Sequence, residues 1–576
     1  MRYFALATDY DGTLAHDGVV SPATITALEQ LRATGRKLIL VTGRELGDLL
    51  RAFPQIDLFD RVVAENGGLV YTPATRQEQP LAEPPPAAFV AALQAQGVKP
   101  LSIGRVIVAT WYPNETVVLN TIRDLGLEHQ VIFNKGAVMV LPPGINKAAG
   151  LGAALEQLGL SAHNVVGVGD AENDHAFMSI CECSVAVANA LPMVRERADY
   201  VTRGDHGAGV VELIGRIIDD DLLSLEPRMT RHHFLLGTYA AQEGVEVHIA
   251  PYGVNLLLTG SSGAGKSTLA TAVLERLAEQ GYQFCIIDPE GDYEAFEGAV
   301  TLGDPNRDPS ADAVIELLEI SRQNVIINLL GIALAHRPAF FEQLLPRIQE
   351  LRARTGRPHW LVIDEAHHLL PTSWHPSRNT LPQELSGLML ITVHPDHVAP
   401  AVLSLIETII AVGESPEKAL QAFSEALGQP SPELNPVKLE SGEALVWSRA
   451  QDAGADAAPF RLRIAPPSGE RRRHSRKYAE GDLGEDKSFY FRGPEGRLNL
   501  RAQNLLLFIQ LGEGVDDDTW QYHLRQGDYT RWFRDAIKDE DLADEAARIA
   551  EQPSIGVAES RAGIKAVIEE RYTAPA

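Results

Sequence analysis

The 576-residue chain has little cysteine and no long apolar run. Its three cysteines, Cys181, Cys183 and Cys285, cannot build a disulfide framework, and the first two are too close together for a usual zinc pair. No stretch of about 18 apolar residues occurs, and the opening MRYFALATDYDG lacks a basic segment followed by an apolar one. We therefore expect a cytoplasmic protein in a reducing compartment, with no membrane span.

Positive charge is also scarce. The chain has 51 lysines and arginines against 77 aspartates and glutamates, a formal net charge of -26. This net charge excludes a protein that binds nucleic acid over a generally basic surface, but it allows a local basic patch. With 45% hydrophobic residues, the length is enough for about three or four folded domains, and disorder is excluded as the main state.

Two series of short apolar strands, each alternating with helices, divide the chain. Such alternation is typical of parallel α/β sheets. We predict a multidomain α/β protein: a Rossmann-like core with a small α+β cap, a RecA-like P-loop domain and a small helical module. The predicted boundaries are 1–222 for the first domain with its cap at about 80–145 in an αββαββ pattern, 223–465 for the second domain, 466–487 for a charged linker and 488–576 for the helical module.

Polar residues follow the strands of the first series. Asp9 and Asp11 come directly after the first strand, where one carboxylate could attack phosphorus and the other could protonate a leaving oxygen. Carboxylates at such a site need a hard cation, and Mg²⁺ is the expected one. Thr42 follows the second strand, and Lys147 offers a cation for phosphate oxygens. Asp170 and Asp174 lie at the end of a later strand, in GDAEND.

In this order, the motifs DYDGT, VTGR, NK and GDAEND resemble those of the haloacid dehalogenase (HAD) phosphatases with a cap after the second motif. The resemblance implies that Asp9 is the nucleophile, Asp11 the general acid and base, and Thr42 and Lys147 the phosphate ligands. It also implies a magnesium site, for which we predict Asp9, Asp11, Asp170 and Asp174, with Asn173 in support. The cap is similar to the smaller caps of phosphoglycolate and sucrose-phosphate phosphatases, which favours a small phosphorylated metabolite. Trp111, Tyr112 and Arg105 are candidates for its pocket or for simple packing.

The second series contains a glycine-rich loop, GSSGAGKS, between an apolar strand and a helical run. In that context the pattern predicts a nucleotide-binding loop for ATP, whose backbone N–H groups wrap the phosphates. Lys266 would contact the β and γ phosphates, and Ser267 would bind Mg²⁺. The remaining residues of the predicted loop and helix start are Gly260, Gly263, Gly265 and Thr268.

Two later strand ends complete the predicted ATP site. Asp364 would support Mg²⁺ and Glu365 would activate water, while His394 stands at the position of a γ-phosphate sensor. Together with DPEGDY at 288–293, this set resembles the HerA/FtsK-like P-loop ATPases over about 228–465. The resemblance implies a homo-oligomer, often a hexameric ring, that moves DNA or protein. The chain departs from the family at His394, where glutamine is commoner, and its arginine finger is unassigned among Arg378, Arg449 and Arg461.

The tail is less informative. The basic run 471–477 is either a solvated linker or a contact for phosphates, and the aromatic residues after 488 favour a helical core over a base-stacking platform. We interpret the chain as an Mg²⁺-dependent phosphomonoesterase for a small phosphorylated metabolite, fused to an ATP-hydrolysing motor or regulatory domain. The alternatives are a DNA-associated translocase with an accessory phosphatase, and a kinase/phosphatase for nucleic-acid ends. Glu365 argues against the kinase, and the negative charge against the translocase.

Overall fold

The computed structural model describes residues 1–134, 136–242, 244–294, 296–374, 386–432, 436–449, 458–467, 478, 483, 487–496, 498–537, 539–552 and 555–572. Among these residues, no helix is both long enough and apolar enough to cross a bilayer. Mixed α/β sheets in two large units and a smaller C-terminal unit confirm the predicted multidomain α/β class.

The first unit holds a central sheet whose strand order is β14-β13-β12-β1-β4-β5-β6-β7. Strands from β14 to β5 are parallel, and β6 and β7 extend the sheet antiparallel. The strands are β1 (Ala5–Thr8), β2 (Ala15–His16), β3 (Val19–Val20), β4 (Lys37–Val41), β5 (Arg61–Ala64), β6 (Leu69–Thr72), β7 (Gln77–Pro80), β8 (Ser102–Ile103), β9 (Val108–Trp111), β10 (Gln130–Asn134), β11 (Ala137–Leu141), β12 (Val165–Gly169), β13 (Cys183–Ala186) and β14 (Tyr200–Val201).

Helices cover both faces of this sheet, and the central strands are buried because they are almost wholly apolar. They are α1 (Pro22–Ala33), α2 (Leu46–Ala52), α3 (Ala87–Ala95), α4 (Glu115–Asp124), α5 (Lys147–Leu158), α6 (His175–Ile180), α7 (Pro192–Arg197) and α8 (His206–Asp220). The inserted cap contains α3, β8, β9, α4, β10 and β11 in that order, with its own antiparallel sheet β10-β11-β9-β8. The αββαββ pattern expected from the sequence is thus observed.

The second unit has a wider sheet, in the order β16-β15-β25-β24-β23-β17-β22-β21-β18-β20-β19. Its elements are β15 (Phe234–Tyr239), β16 (Glu246–Ile249), β17 (Leu256–Gly260), α9 (Lys266–Glu279), β18 (Phe284–Asp288), β19 (Ala299–Leu302), α10 (Ala311–Glu319), β20 (Asn324–Asn328), α11 (Arg337–Thr355), β21 (Trp360–Ile363), α12 (Ala366–Leu369), β22 (Leu388–Thr392), α13 (Pro400–Leu403), β23 (Thr408–Val412), α14 (Pro416–Ala426), β24 (Glu443–Ser448) and β25 (Phe460–Ile464). The apolar runs of the second series form β17, β18, β20, β21, β22 and β23. The sequence prediction lacked β19 and the antiparallel strands β15, β16, β24 and β25; of these, β16 and β25 carry polar side chains at alternate positions.

The C-terminal unit is mostly helical, but it also contains a hairpin that the sequence prediction lacked. Its elements are β26 (Phe489–Phe491), β27 (Leu500–Ala502), α15 (Leu505–Gly514), α16 (Asp517–Arg525), α17 (Asp528–Asp535), α18 (Glu540–Ala550) and α19 (Val557–Tyr572). The aromatic run in β26 suits a strand better than a helix. Phe489, Phe508, Trp520 and Tyr529 pack in one buried cluster, as expected for a core. The basic run 471–477 lies outside the described residues.

The two large units meet through the residues that precede their strands. The ring of His163, just before β12, stacks on Tyr282, just before β18, with ring centroids 3.7 Å apart. Arg357, three residues before the start of β21, donates to the carbonyl oxygen of Gly159 at 2.7 Å. The contact between the units therefore lies at the amino ends of these parallel strands, and the carboxyl ends of the same strands lie away from it.

A close backbone contact positions the start of α5. Gly67 has φ +103°, and a Cβ there would lie 1.9 Å from the carbonyl oxygen of Asn146, the N-cap of α5. Since this helix begins with Lys147, the absence of a side chain at Gly67 fixes where that lysine sits. Gly97 also has a positive φ, +74°, but no atom lies within 4 Å of its Cβ position.

We predict that Gly67→Ala lowers the melting temperature of the chain more than Gly97→Ala does. Both changes cost about 1 kcal/mol of backbone strain, and the clash at Gly67 adds roughly 1–3 kcal/mol. Thermal unfolding of the two variants beside the unchanged chain measures the difference. Equal losses in the two variants would show that the contact with α5 is not tight.

Candidate active sites

The first candidate site lies at the carboxyl ends of β1, β4 and β12. Asp9 follows β1, and Asp170 and Asp174 follow β12, so that neighbouring parallel strands deliver them to one edge. Each of these three carboxylates offers an oxygen within 4.8 Å of the others, and all three are buried. This arrangement brings together three of the four predicted metal ligands.

Lys147 joins the cluster from the first turn of α5. Its Nζ donates to Asp9 Oδ1 at 2.6 Å and to Asp174 Oδ1 at 2.5 Å, and its side chain is 2% exposed. Burial lowers the pKa of Lys147, but the charges of Asp174 and Asp9 outweigh it and raise that pKa above its usual range. Burial and the neighbouring Asp174 charge raise the pKa of Asp9.

The residues present fit a magnesium ion. Three buried carboxylates and one ammonium leave an excess of negative charge, which a dication would balance. All three oxygens are hard ligands, of the kind that Mg²⁺ prefers. Asp174 is held for this role, since its Oδ2 accepts from the backbone N–H groups of Asp170 and Ala171 at 2.9 Å each.

Asp11 is placed differently from the prediction for a metal ligand. Its carboxylate forms a bidentate ion pair with Arg44, with Nε and Nη2 each 2.6 Å from an oxygen, and it does not belong to the three-carboxylate cluster. Arg44 follows Thr42 in the second motif, and its planar guanidinium matches both carboxylate oxygens. The motif VTGR contained this arginine, but its sequence position alone did not reveal its partner.

Thr42 is buried at the end of β4, and its Oγ1 accepts from the N–H of Arg44 at 3.1 Å. Nearby, Asn173 Nδ2 donates to Asn66 Oδ1 at 3.0 Å, which places the supporting asparagine beside the turn that follows β5. This turn holds Glu65 and Asn66 at positive φ, both +53°. The carboxylate of Glu65 accepts from three consecutive N–H groups of the cap, at residues 105–107.

The cap contacts the site through residues that sequence reasoning missed. Asn134 Nδ2 donates to Asn173 Oδ1 at 3.2 Å, and Met139 lies beside Gly43. Asn134 and Met139 belong to β10 and β11, and no motif marked them. The cap-pocket candidates named from the sequence are more exposed to solvent. Trp111 and Tyr112 are about half exposed, and Arg105 pairs with Glu78 at the surface.

The second candidate site lies at the carboxyl ends of β17, β21 and β22. The loop after β17 holds Gly260, Gly263 and Gly265 at positive φ, and a Cβ at Gly260 would lie 2.1 Å from the carbonyl oxygen of Val412. Lys266, Ser267 and Thr268 form the first turn of α9. A cavity of about 360 Å³ opens beside the loop, lined by Gly260 and Ser261 together with His394.

Buried charges gather around Lys266. Its Nζ donates to the carbonyl oxygens of Gly260 and Ser261 at 3.0 Å each. Burial lowers the pKa of Lys266, and the charges of Glu365 and Asp364 act in the opposite direction. Burial and the neighbouring Asp288 charge raise the pKa of Asp364 well above its usual range. The structure thus brings the predicted lysine and both carboxylates into one electrostatic cluster.

Glu365 has features of a functional position. It adopts φ +42°, and its side chain is mostly buried, with Oε2 3.4 Å from Nδ1 of His367. Burial raises its pKa, and the charge of Glu290 adds to the shift. Strained backbone is common where a side chain acts on a bound molecule.

The neighbouring polar groups have clearer structural roles. Asp288 accepts from four backbone N–H groups at residues 290–293, so this buried carboxylate, whose pKa burial raises to about 6, shapes the loop after β18. Thr392, at the end of β22, bonds His367 Nδ1 at 3.0 Å. Sequence reasoning missed both roles.

Two of the three arginine-finger candidates are engaged inside the chain. Arg449 donates to the carbonyl oxygen of Ile406 and to Gln429, and Arg461 pairs with Glu443. Arg378 lies outside the described residues.

Comparisons with known proteins match a different family at each of the two candidate sites. Residues 6–101 and 114–214 match the haloacid dehalogenase-like hydrolase family, and residues 253–408 match the AAA domain family. A phosphoglycolate phosphatase from Methanothermobacter thermautotrophicus is 32% identical over 224 residues, which are 37% of this chain and 98% of that protein. Phosphoglycolate phosphatase 2 from Saccharolobus solfataricus is 30% identical over 220 residues, 37% of this chain and 91% of that protein.

A solved haloacid dehalogenase-like hydrolase from Bacteroides thetaiotaomicron is 19% identical, with a TM-score of 0.34 over 37% of this chain and 99% of that one. Through its N-terminal part the chain belongs to the haloacid dehalogenase-like hydrolase family, and its later part carries a P-loop ATPase domain of the AAA type. The matches support hydrolase activity in both parts.

We predict that Lys147→Met makes the fold depend on Mg²⁺. The variant leaves the buried carboxylates without their ammonium partner, and removing one member of a buried ion pair costs about 3–5 kcal/mol. Melting temperatures with EDTA and with excess Mg²⁺ measure the effect, and Mg²⁺ should restore part of the loss. Lys37→Met, which removes a half-exposed lysine paired with Asp60, is the control. A Lys147→Met melting curve that matches this control in both buffers would contradict the cluster's electrostatics.

Proposed function

We propose that the N-terminal part is a Mg²⁺-dependent phosphomonoesterase that works through a phosphoaspartate. The observation that carries this proposal is the buried cluster of Asp9, Asp170 and Asp174 around Lys147. A bound Mg²⁺, held by the three carboxylates, would neutralise phosphate charge and let an anionic carboxylate approach phosphorus.

The protein's own residues would carry out nucleophilic attack, phosphate binding and proton transfer. Lys147 fixes the orientation of the Asp9 carboxylate, which attacks phosphorus and forms an acyl phosphate. Thr42, with the backbone N–H groups that follow β4, would hold the phosphate oxygens. Asp11 would protonate the leaving oxygen and later take a proton from the attacking water. For that step its carboxylate must leave the ion pair with Arg44.

The substrate we propose is a small phosphorylated metabolite, with phosphoglycolate as the first compound to test. The two relatives cited above carry the name phosphoglycolate phosphatase and align over nearly their whole length. The cap is consistent with a small substrate, because Asn134 and Met139 contact the loops that carry the proposed catalytic residues.

We further propose that the second part binds ATP with Mg²⁺ and hydrolyses it as a HerA-like motor or regulatory domain. Lys266 would contact the phosphates, Ser267 and Asp364 would hold the cation, and Glu365 would activate water. His394 lines the cavity beside the loop and would sense the γ-phosphate. A hexameric ring and a DNA partner remain expectations from the resemblance. A cytoplasmic location is supported by three unpaired, buried cysteines.

Both proposed sites lie at the strand ends away from the interface, which favours independent chemistry over transfer between sites. Strands of five residues, β12 and β18, separate the interface from the respective site edges. At about 3.3 Å per residue, the two sites would be roughly 30–40 Å apart. This distance favours a metabolic phosphatase with an ATPase partner over an enzyme that passes a phosphoryl group between its own sites.

We predict that Asp9→Asn abolishes phosphatase activity and leaves ATP turnover unchanged, while Lys266→Ala does the reverse. Asparagine has the shape of aspartate but cannot form an acyl phosphate. The assay compares phosphoglycolate, other small phosphomonoesters and 5′-phosphorylated oligonucleotides, each with and without ATP, and follows ATP hydrolysis with and without DNA. Loss of both activities in either variant would contradict two separate sites.

We predict that Glu365→Gln lowers kcat for ATP hydrolysis by about 10²–10⁴-fold, as expected for loss of a general base. ATP affinity should stay within a few-fold of the unchanged chain, because glutamine keeps the size of the side chain. Stopped-flow hydrolysis and equilibrium binding of ATP measure the two quantities. A kcat close to that of the unchanged chain would assign water activation to another residue.

A further inference from the structure

A second cluster of metal-ligating side chains lies at the interface between the two large units. His163, Glu182 and His232 each offer a ligand atom within 4.8 Å of the others. His163 and Glu182 are buried, and His232 is partly buried. His163 Nδ1 is 2.9 Å from Glu182 Oε2. The neighbouring units therefore converge on two imidazoles and one carboxylate, in a place where neither proposed reaction occurs.

The remaining nitrogen of each histidine is anchored to the backbone. His163 Nε2 lies 2.8 Å from the carbonyl oxygen of Gln280, and His232 Nε2 lies 3.1 Å from that of Cys181. A carbonyl oxygen only accepts, so each Nε2 carries a proton and a neutral ring has its lone pair on Nδ1. Metal-binding histidines are oriented in the same way, by donating through the second nitrogen to a carbonyl or carboxylate.

We propose that His163, Glu182 and His232 bind a divalent transition metal, with Zn²⁺ as the best match. Two imidazoles and one carboxylate form a ligand set that zinc uses, and imidazole nitrogens favour zinc over magnesium. The ion would replace the second proton that His163 otherwise needs, because both of its nitrogens face acceptors. This site differs from the all-oxygen cluster at Asp9, which lies at the other end of β12.

The three ligands suggest a structural role for the ion. His163 precedes β12, Glu182 precedes β13, and His232 belongs to the segment that leads into β15. Tyr282 of the second unit stacks on His163 and donates to Glu182 Oε2 at 2.6 Å. A bound metal would hold the connecting segment against the first unit and would stabilise the surface that the second unit contacts.

Metal analysis of the full-length chain tests the proposal. The chain, purified without chelators and dialysed, should contain about one zinc per chain. His232→Gln should lose it, whereas Asp9→Asn, which alters the other cluster, and His129→Gln, a partly buried histidine of the cap, should keep it. Added ZnCl₂ should raise the melting temperature of the stripped chain but not that of His232→Gln. Replacement by Co²⁺ should give the visible absorption of a four-coordinate site.

Two results would overturn the proposal. One is a chain without bound zinc whose melting temperature does not respond to ZnCl₂, which would mean that His163 carries a proton instead. The other is zinc that disappears in Asp9→Asn and persists in His232→Gln, which would place the ion at the Asp9 cluster. If His232→Gln fails to fold, Glu182→Gln with the Co²⁺ spectrum of the folded fraction decides between the same outcomes.

Discussion

The direction of the parallel strands is the constraint on which the rest of the structure depends. In both sheets, the loops that follow the strands carry the proposed site residues, and residues that precede the strands form the interface. Because the units pack through the amino ends of these strands, Asp9 and Lys266 both lie at strand ends away from the interface. The buried contacts of His163, Tyr282 and Arg357 are among those that join the two units.

Both sites place a lysine near several buried carboxylates, but the lysine forms different hydrogen bonds in each. At the first, three buried carboxylates surround a lysine that bonds two of them directly. At the second, Lys266 bonds the loop carbonyls, and the carboxylates act on it through space. A dication suits both arrangements, since each buries more negative than positive charge. The difference suits the two proposed reactions. At the first site the protein's own carboxylate would react with the substrate, whereas the second site would receive a triphosphate.

Strand ends were the part of the sites that the sequence could predict. Asp9, Thr42, Asp170, Lys266 and Asp364 follow apolar runs, and parallel pairing brings such positions to one edge whatever the details of packing. Two antiparallel strands of the second sheet, β16 and β25, were not predicted because polar side chains interrupt their apolar residues at alternate positions. The hairpin of β26 and β27 was not predicted, because the sequence around it has a helical pattern.

Contacts between distant segments were beyond sequence reasoning. The ion pair of Asp11 with Arg44, the hydrogen bond from Asn134 to Asn173 and the group of His163, Glu182 and His232 each depend on how loops meet. No spacing rule relates their positions along the chain. They are also the contacts that position Asp11, the proposed general acid, and that join the cap to the core and the two units to each other.

The measurement that tests the account most directly is the distance between the two phosphate sites. Mn²⁺ can replace Mg²⁺ at oxygen-ligand sites, and pulsed electron paramagnetic resonance measures the separation of two such ions in one chain. With a non-hydrolysable ATP analogue bound, the account predicts two Mn²⁺ per chain at roughly 30–40 Å, the length of the intervening strands. A single Mn²⁺ per chain, or a pair closer than about 15 Å, which is less than the rise of one five-residue strand, would contradict it.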